Sequence, residues 1–432
     1  MRRGAAARRE QEGAELLRIR AFEGYRPGPG LAERVAALPY DVVDRDEAAA
    51  LAEGNEHSFL HVTRPEIDLP PDTDPYSDAV YARAADAWRK MTASEAMVRE
   101  EKPRLYLYRQ EAELLGRKRA QVGLVCCCHI DDYNSGVIKK HEKTRQAKED
   151  DRTRHVLETN INAGPVFLMH RDDDEISALI EREIAAGEPA EDFRAPDGVR
   201  HTLWVVREAT PFVDAMARLP AAYVADGHHR SASAARAGAE RRAANPHHTG
   251  DEAYNWFLSV VFPAGALTIL PYHRVVRDLN GLSPVRFLDA LRELGELRKL
   301  DASADHTPDR PGSVCVHVDG GWWGLTFPES SIDRTDPVAS LDYQLLSDRV
   351  LGPVLGIEDI RTDERIDFVG GIRGPGALRE RVESGRSAAG FSMHPVTIEQ
   401  LVGVADAGAI MPPKSTWFEP KLRSGLVVHS LD

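Results

Sequence analysis

The sequence predicts a mixed α/β (α+β) protein of two lobes. Three observations lead there. The chain has 432 residues, about three times the ~150-residue domain prior. Its composition, 42% hydrophobic and 29% charged, is that of a soluble globular protein. Short β-rich apolar runs also alternate with segments of helical spacing over most of its length.

The N-terminal stretch Met1–Arg20 holds six arginines and three glutamates and no apolar core. It is therefore no secretory signal, and residues 1–18 are expected to form a disordered extension. Arg104–Arg109 alternates and reads as a strand, and Ala120–Ile130 as a buried one. Cys126, Cys127 and Cys128 stand in a row. Adjacent thiols lack the separation a zinc knuckle needs, so they read as small core residues in a reducing compartment. Pro165–Met169 and Thr202–Val206 are further strands. Between them Ile176, Leu179, Ile180 and Ile184 give Asp174–Ala186 a helical stripe. Thr210-Pro211 has the form of a helix start. Ala221–Asp226 reads as a strand, Ser231–Ala239 as a small-residue helix and Trp256–Phe262 as another strand. Beyond a boundary near 263–285 strands and helices alternate again, with a hairpin at Asp319-Gly-Gly321. The expected domains are 19–265, holding the functional site, and 266–432, contributing C-terminal basic residues. No window approaches the ~18 apolar residues of a membrane span, so a cytoplasmic protein without membrane partners is expected.

Net charge narrows the partners. Lys+Arg total 55 against 69 for Asp+Glu, a formal charge of -14. An acidic chain repels a phosphate backbone, which argues against nucleic acid as partner. An anion site must then be a local exception.

Two segments qualify. Lys139–His155 carries seven Lys/Arg (139, 140, 143, 145, 148, 152, 154) and four carboxylates (142, 149, 150, 151), a local +3, and Ala147 is its one apolar side chain. Nothing in it breaks a helix. As a helix it would align His141, Arg145, Lys148, Arg152 and His155 on one face at steps of 4, 3, 4 and 3. With no apolar stripe, no face is expected to pack on a core. A solvated surface helix laced with ion pairs and a phosphate- or carboxylate-binding face both fit this pattern. The second segment is Tyr223-Val-Ala-Asp226-Gly227-His228-His229-Arg230-Ser231, a strand that ends in Asp-Gly and starts a helix at once. Helix N-termini offer unpaired amides and positive dipole ends. Gly227 permits a tight turn, and two imidazoles and a guanidinium add donors suited to phosphate oxygens. The plainer reading is a helix capped by Asp226.

Other signals are weaker. Val369–Gly376 is neither a Walker loop nor a dinucleotide fingerprint, and reads as a glycine-rich turn. Met411-Pro-Pro-Lys-Ser-Thr416 lacks the glycines and amide donors of a phosphate loop, although Lys414, Lys421 and Arg423 are basic groups able to reach an anion from a neighbouring lobe. Serine-hydrolase and zinc-protease signatures do not occur.

Several blocks together resemble the bacterial and archaeal domain-of-unknown-function 1015 family: Arg20-Ala-Phe, Pro39-Tyr-Asp-Val42, Ser58-Phe-Leu-His-Val62 with Arg64-Pro-Glu66, Lys139–His155, Asp226-Gly-His-His-Arg230, and Met411–Lys421. The resemblance covers about Arg18 to the end and states no function. Asp226–Arg230 is also similar to the phosphate-contacting motif of the ParB/sulfiredoxin superfamily, which includes free-serine kinases. That likeness implies a ParB/sulfiredoxin-like core and a phosphate role for Gly227, His228, His229 and Arg230. No position here aligns with the glutamate base of those kinases, and Glu142 is chosen because it sits in the cationic block.

The expected function is a nucleotide-dependent kinase that phosphorylates the hydroxyl of a small metabolite, with free L-serine as the first candidate. Its catalytic residues would be Glu142 as general base, Asp226, which would hold Mg²⁺ or the acceptor hydroxyl, and His229. Lys139, Lys140, His141, Arg145, Arg152, His155, Gly227, His228 and Arg230 would hold the phosphates of ATP, ADP or another nucleotide. Two alternatives remain open: a ParB-like nucleotide-binding regulator without turnover, and a lyase or phosphatase acting on a phosphorylated or carboxylate substrate. A homodimer is left open.

Overall fold

The computed structural model describes residues 16–432. Residues 1–15, most of the expected extension, lie outside them. Leu17 is fully buried, and Arg18 Nε donates to Asp132 at 2.7 Å. The chain forms two compact units.

The first unit comprises the chain to Lys140, Thr144–Leu267 and Pro420–Asp432. Its centre is a nine-stranded mixed sheet. In chain order the strands are β1 (Ile19–Arg20), β2 (Tyr106–Leu114), β3 (Arg117–His129), β4 (Ile138–Lys139), β5 (Val166–His170), β6 (Glu191–Arg194), β7 (Arg200–Val205), β8 (Ala222–Asp226) and β9 (Trp256–Pro263). They pair in the order β4-β8-β5-β9-β3-β2-β7-β6, with β1 also on β3. The two parallel pairings are β4 with β8 and β5 with β9. Strand residues alternate faces, so Leu124, Cys126 and Cys128 join the main apolar cluster while Cys127 turns away, and all three thiols are buried. Ile176, Leu179 and Ile180 from the predicted helix Asp174–Ala186 close the same core.

Three other helices of this unit matter for the site: α1 (Asp78–Ala93), α2 (Gln146–Thr159) and α3 (His228–Ala244). The small residues of α3 allow a close approach. A Cβ on Gly238 would run into the Tyr254 carbonyl and sit 2.6 Å from Ile130 Cδ1.

The last residues return to this unit instead of ending in the other. Gln110 Nε2 donates to the Lys421 carbonyl at 2.8 Å and Gln121 Nε2 to that of Pro420 at 3.3 Å. Ser424 N–H donates to Ala37 O at 2.9 Å, and Tyr25 and Val428 exchange backbone bonds of 2.8 and 2.9 Å. Gly425, at φ +85°, turns the chain where a Cβ would strike the Phe59 ring. The contiguous division expected from sequence has this difference at its C-terminal end.

The 139–155 segment is not one helix. Ile138, fully buried, draws residues 138–139 into the sheet beside Ala222 and Tyr223. Helix α2 begins only after Arg145. The helix also buries a face, contrary to the expectation from its missing apolar stripe. Its buried polar groups carry their own partners. Tyr81 Oη donates to Asp151 at 2.9 Å, Arg152 binds the same carboxylate, His155 Nε2 meets Val62 O at 2.8 Å, and Thr159 Oγ1 donates to His155 O at 2.6 Å. Buried polar groups are tolerated on such terms.

The second unit comprises His141–Lys143 and Thr268–Glu419. Its antiparallel sheet holds β10 (Tyr272–Val276), β11 (Glu296–Lys299), β12 (Ser313–Val318), β13 (Gly321–Thr326), β14 (Ile366–Gly370) and β15 (Ala389–Met393), in the order β11-β13-β12-β15-β10-β14. The predicted hairpin joins β12 and β13 through Asp319 and Gly320, with φ of +50° and +70°, the signs a type I′ turn requires. The glycine-rich stretch 369–376 is a turn and short 3₁₀ segment before the helix Gly376–Glu383. Arg274 is buried and donates to the carbonyls of Tyr272, Lys414 and Pro413. Those bonds fix the 411–416 loop.

Candidate functional site

Strand β8 ends at Asp226. Gly227, at φ +96°, then turns the chain into α3, and no side chain caps that helix. Residues without Cβ adopt this conformation at no steric cost. Asp226 is no cap of the first turn: its Oδ1 accepts only the Gly227 N–H, at 2.9 Å. Its Oδ2 lies 3.2 Å from Lys421 Nζ and 3.5 Å from Arg230 Nη2. Burial alone would raise the Asp226 carboxyl, but the Lys421 ammonium and Arg230 guanidinium hold it well below the usual carboxylate range. Asp226 is thus an anion locked between two cations.

The two sequence segments meet here. Lys139 in β4 pairs with Tyr223 in β8. At the far side of the intervening loop the Arg145 N–H donates to His229 Nε2 at 3.1 Å. Helices α2 and α3 are tied through Arg236, which pairs with Asp150. With Nε2 accepting, the proton of a neutral His229 sits on Nδ1. His228 is buried, and burial lowers its imidazole to about 4 against the pull of Asp226. It is neutral at pH 7 and presents one N–H rather than a cation. Lys140 lies 4.1 Å over the Tyr133 ring, and burial lowers its ammonium while Glu149 opposes the shift.

Arg230 is anchored by a 2.5 Å bond from Nη1 to Pro165 O. Burial works against its charge, but Asp41, Asp226 and Tyr40 outweigh that and raise it. Its buried Nε has no hydrogen-bond partner among the described residues. Arg152 grips Asp151 with Nε and Nη2 at 2.9 and 3.0 Å, and its guanidinium lies 4.4 Å from the Tyr40 ring centroid.

The aligned stripe expected from His141, Arg145, Lys148, Arg152 and His155 does not form, because the helix starts after Arg145. His141 and Glu142 belong to the second unit, where the His141 carbonyl accepts from Met411 N–H at 2.8 Å. Lys148 turns to Tyr76, with Nζ 3.2 Å from its hydroxyl. His155 is buried, and burial holds its imidazole near 4, so its Nε2–H serves Val62 O instead of an anion. Lys421 and Arg423 belong to the first unit and Lys414 to the second. Arg423 pairs with Asp197, and its Nε is 3.2 Å from His201 Nε2.

Sequence reasoning assigned no role to Tyr40 and Asp41. Their signal was present: Pro39-Tyr-Asp-Val42 is one of the blocks that carry the family resemblance. Arg64 Nη1 donates to Tyr40 O at 3.0 Å, which ties the block at 64–66 to the same loop.

Among the described residues no group of three or more His, Cys, Asp or Glu could hold a metal ion. The oxygens of Asp226 are already engaged by Gly227, Lys421 and Arg230. Nor is any described helix long and apolar enough to cross a membrane.

Residues 19–344 match the family described as "Protein of unknown function (DUF1015)". The chain belongs to that family. No curated protein matches this DUF1015 member. Among solved structures it is similar to a free serine kinase in complex with AMP (13% identity, 68% of this chain and 86% of that one, TM-score 0.34). It is similar to a conserved hypothetical protein from Pyrococcus furiosus (13%, 72% and 95%, TM-score 0.34). It is also similar to a C-terminally truncated SbnI from Staphylococcus aureus (10%, 69% and 85%, TM-score 0.37).

Proposed function

We propose that this protein is a nucleotide-dependent phosphotransferase acting on the hydroxyl of a small metabolite, with free L-serine as the first acceptor to test. One observation carries the reading: the uncapped N-terminus of α3 stands beside Lys139, Lys140 and Arg145, with Arg230 and Lys421 around it. Phosphoryl transfer is mostly positioning and charge stabilisation, and this arrangement supplies both. The α3 amides and His229 would hold the terminal phosphates of ATP or ADP. Lys140 and Arg145 would offset charge on the transferred group. The acceptor oxygen forms its bond to phosphorus as the bond from phosphorus to the bridging oxygen breaks, and the shortened nucleotide leaves with that electron pair. Asp226, locked between Lys421 and Arg230, suits orientation better than proton abstraction. The hydroxyl proton would pass to a carboxylate at the site, and Asp41, which acts electrostatically on Arg230 and has no ion pair of its own among the described residues, is the first to test. No step is assigned to Glu142, which lies in the second unit.

The test is phosphorus NMR and mass spectrometry of protein incubated with ATP, ADP or GTP, Mg²⁺ and a panel of hydroxy acids and hydroxy amino acids. A phosphorylated acceptor is expected. Absence of product with every donor would end the kinase reading. Nucleotide binding without product would favour a regulator instead.

A further inference from the structure

A cavity of about 40 Å³ lies inside the first unit, next to the phosphate-binding turn but not part of it. Such a volume holds roughly three waters. Val156, Val166, Phe257 and Leu258 line its apolar part, and Arg152 and Arg230 bring two guanidinium groups to it. Tyr40, electrostatically coupled to both arginines, is also in its wall.

The arginines are not used up. Arg152 spends Nε and Nη2 on Asp151, and Arg230 keeps a buried Nε–H without a partner. A guanidinium with donors in hand, at a small and mostly apolar cavity, selects a carboxylate or phosphate oxygen. Size decides between them in favour of a compact organic acid, because the apolar end takes carbon and not a second charged group. Part of the wall comes from sequence blocks outside the phosphate-binding turn. Pro39-Tyr40 is held by Arg64, Thr63 lines the cavity, and His155 docks on the Val62 carbonyl.

We propose that this cavity is the acceptor subsite, and that it takes a three- or four-carbon carboxylic acid bearing a hydroxyl, with its carboxylate on Arg152 and Arg230. Hydroxy acids and hydroxy amino acids share that chemistry. The assignment rests on the phosphotransferase reading for its purpose but not for its test. Arg230 then has two duties, steadying Asp226 and receiving the acceptor, which places the hydroxyl beside the turn where phosphate would sit.

Binding is measured without nucleotide, by saturation-transfer NMR and calorimetry on the full chain, using L-serine, D-glycerate, ethanolamine and L-tyrosine. Serine or glycerate is expected to bind, the preference between them separating the two sources of the carboxylate. Ethanolamine lacks the carboxylate and is expected to bind at least tenfold more weakly, as is tyrosine, which is too large. Arg152→Gln should weaken the bound acid at least tenfold, the loss of one charge-assisted contact. Because Arg152→Gln also releases Asp151, the ligand series on unaltered protein is decisive should the variant not fold. Equal binding of ethanolamine and serine, equal binding of tyrosine, or no acid bound at all would each overturn the proposal. Acid binding without phosphoryl transfer would leave the subsite standing while the kinase reading falls.

Discussion

Neutralising Asp226 should expose how far it and Lys421 depend on each other. Their charged atoms lie 3.2 Å apart, with side chains 25% and 11% exposed. At an effective dielectric near 20 the direct attraction at this distance is about 5 kcal/mol before desolvation is subtracted. Removing one partner of a buried pair costs roughly 3–5 kcal/mol, chiefly because the other charge is left stranded. Asp226→Asn strands two cations, so about 3 kcal/mol is expected, at the low end because the site keeps some water. Lys421→Met should cost less, about 2 kcal/mol, since Arg230 still faces the carboxylate. The double variant strands only Arg230, and its cost should stay near that of Asp226→Asn alone. Thermal unfolding reads this as a drop of about 6 °C for Asp226→Asn, at roughly 2 °C per kcal/mol. The pH dependence follows from the lowered carboxyl. Its stabilisation is complete above the unfolded value near 3.9 and is lost as pH falls toward the folded value. The gap between native protein and Asp226→Asn should therefore close in acid. Strict additivity of the two substitutions, or a gap that does not narrow between pH 4 and pH 2, would refute the pairing.

Other outcomes follow from the same geometry. Asp226→Ala and His229→Ala should each abolish phosphoryl transfer, with circular dichroism showing whether the fold is kept; wild-type turnover in either removes the motif from the reaction. Burial lowers His155 and His228 to about 4, so both stay neutral when folded. Their contribution is full above the unfolded value near 6.5 and disappears as pH falls toward 4. Imidazole NMR signals should stay flat from pH 8 to 5, and His155→Gln should flatten the acid loss of stability. Gly238→Ala should destabilise by about 1–2 kcal/mol through overpacking, even though alanine is the better helix former by ~1 kcal/mol; urea unfolding with a gain in stability would contradict the close packing of α3. Gly320→Val, at φ +70°, should cost about 1–2 kcal/mol in the same measurement, while Asp319→Asn should be nearly silent.

Strands and helices with a clear apolar period were legible: Asp174–Ala186 has the bounds the spacing predicts, and the Cys126–Cys128 run is a buried strand. The turn at Asp226-Gly227 was legible because glycine, strand and helix are adjacent in the chain. The 139–155 segment was misread because its burial depends on partners far away in sequence, Tyr81 for Asp151 and Val62 for His155. A polar helix face paired in this way has no apolar signature. Lys421 illustrates the same limit. Its residue type suggested an anion contact, but only tertiary structure joins it to Asp226, 195 positions earlier.

That separation also bears on synthesis. The first unit is discontinuous: its final thirteen residues follow the whole second unit in the chain. On the ribosome, the sheet and the α3 turn are complete long before Lys421 emerges. Until then Asp226 has Arg230 alone, and the backbone seams at Tyr25 and Ala37 stay open. Domains generally fold as they are made, but this unit must wait for its last segment. A nascent chain halted before residue 420 should hold most of the fold and lack a finished phosphate site.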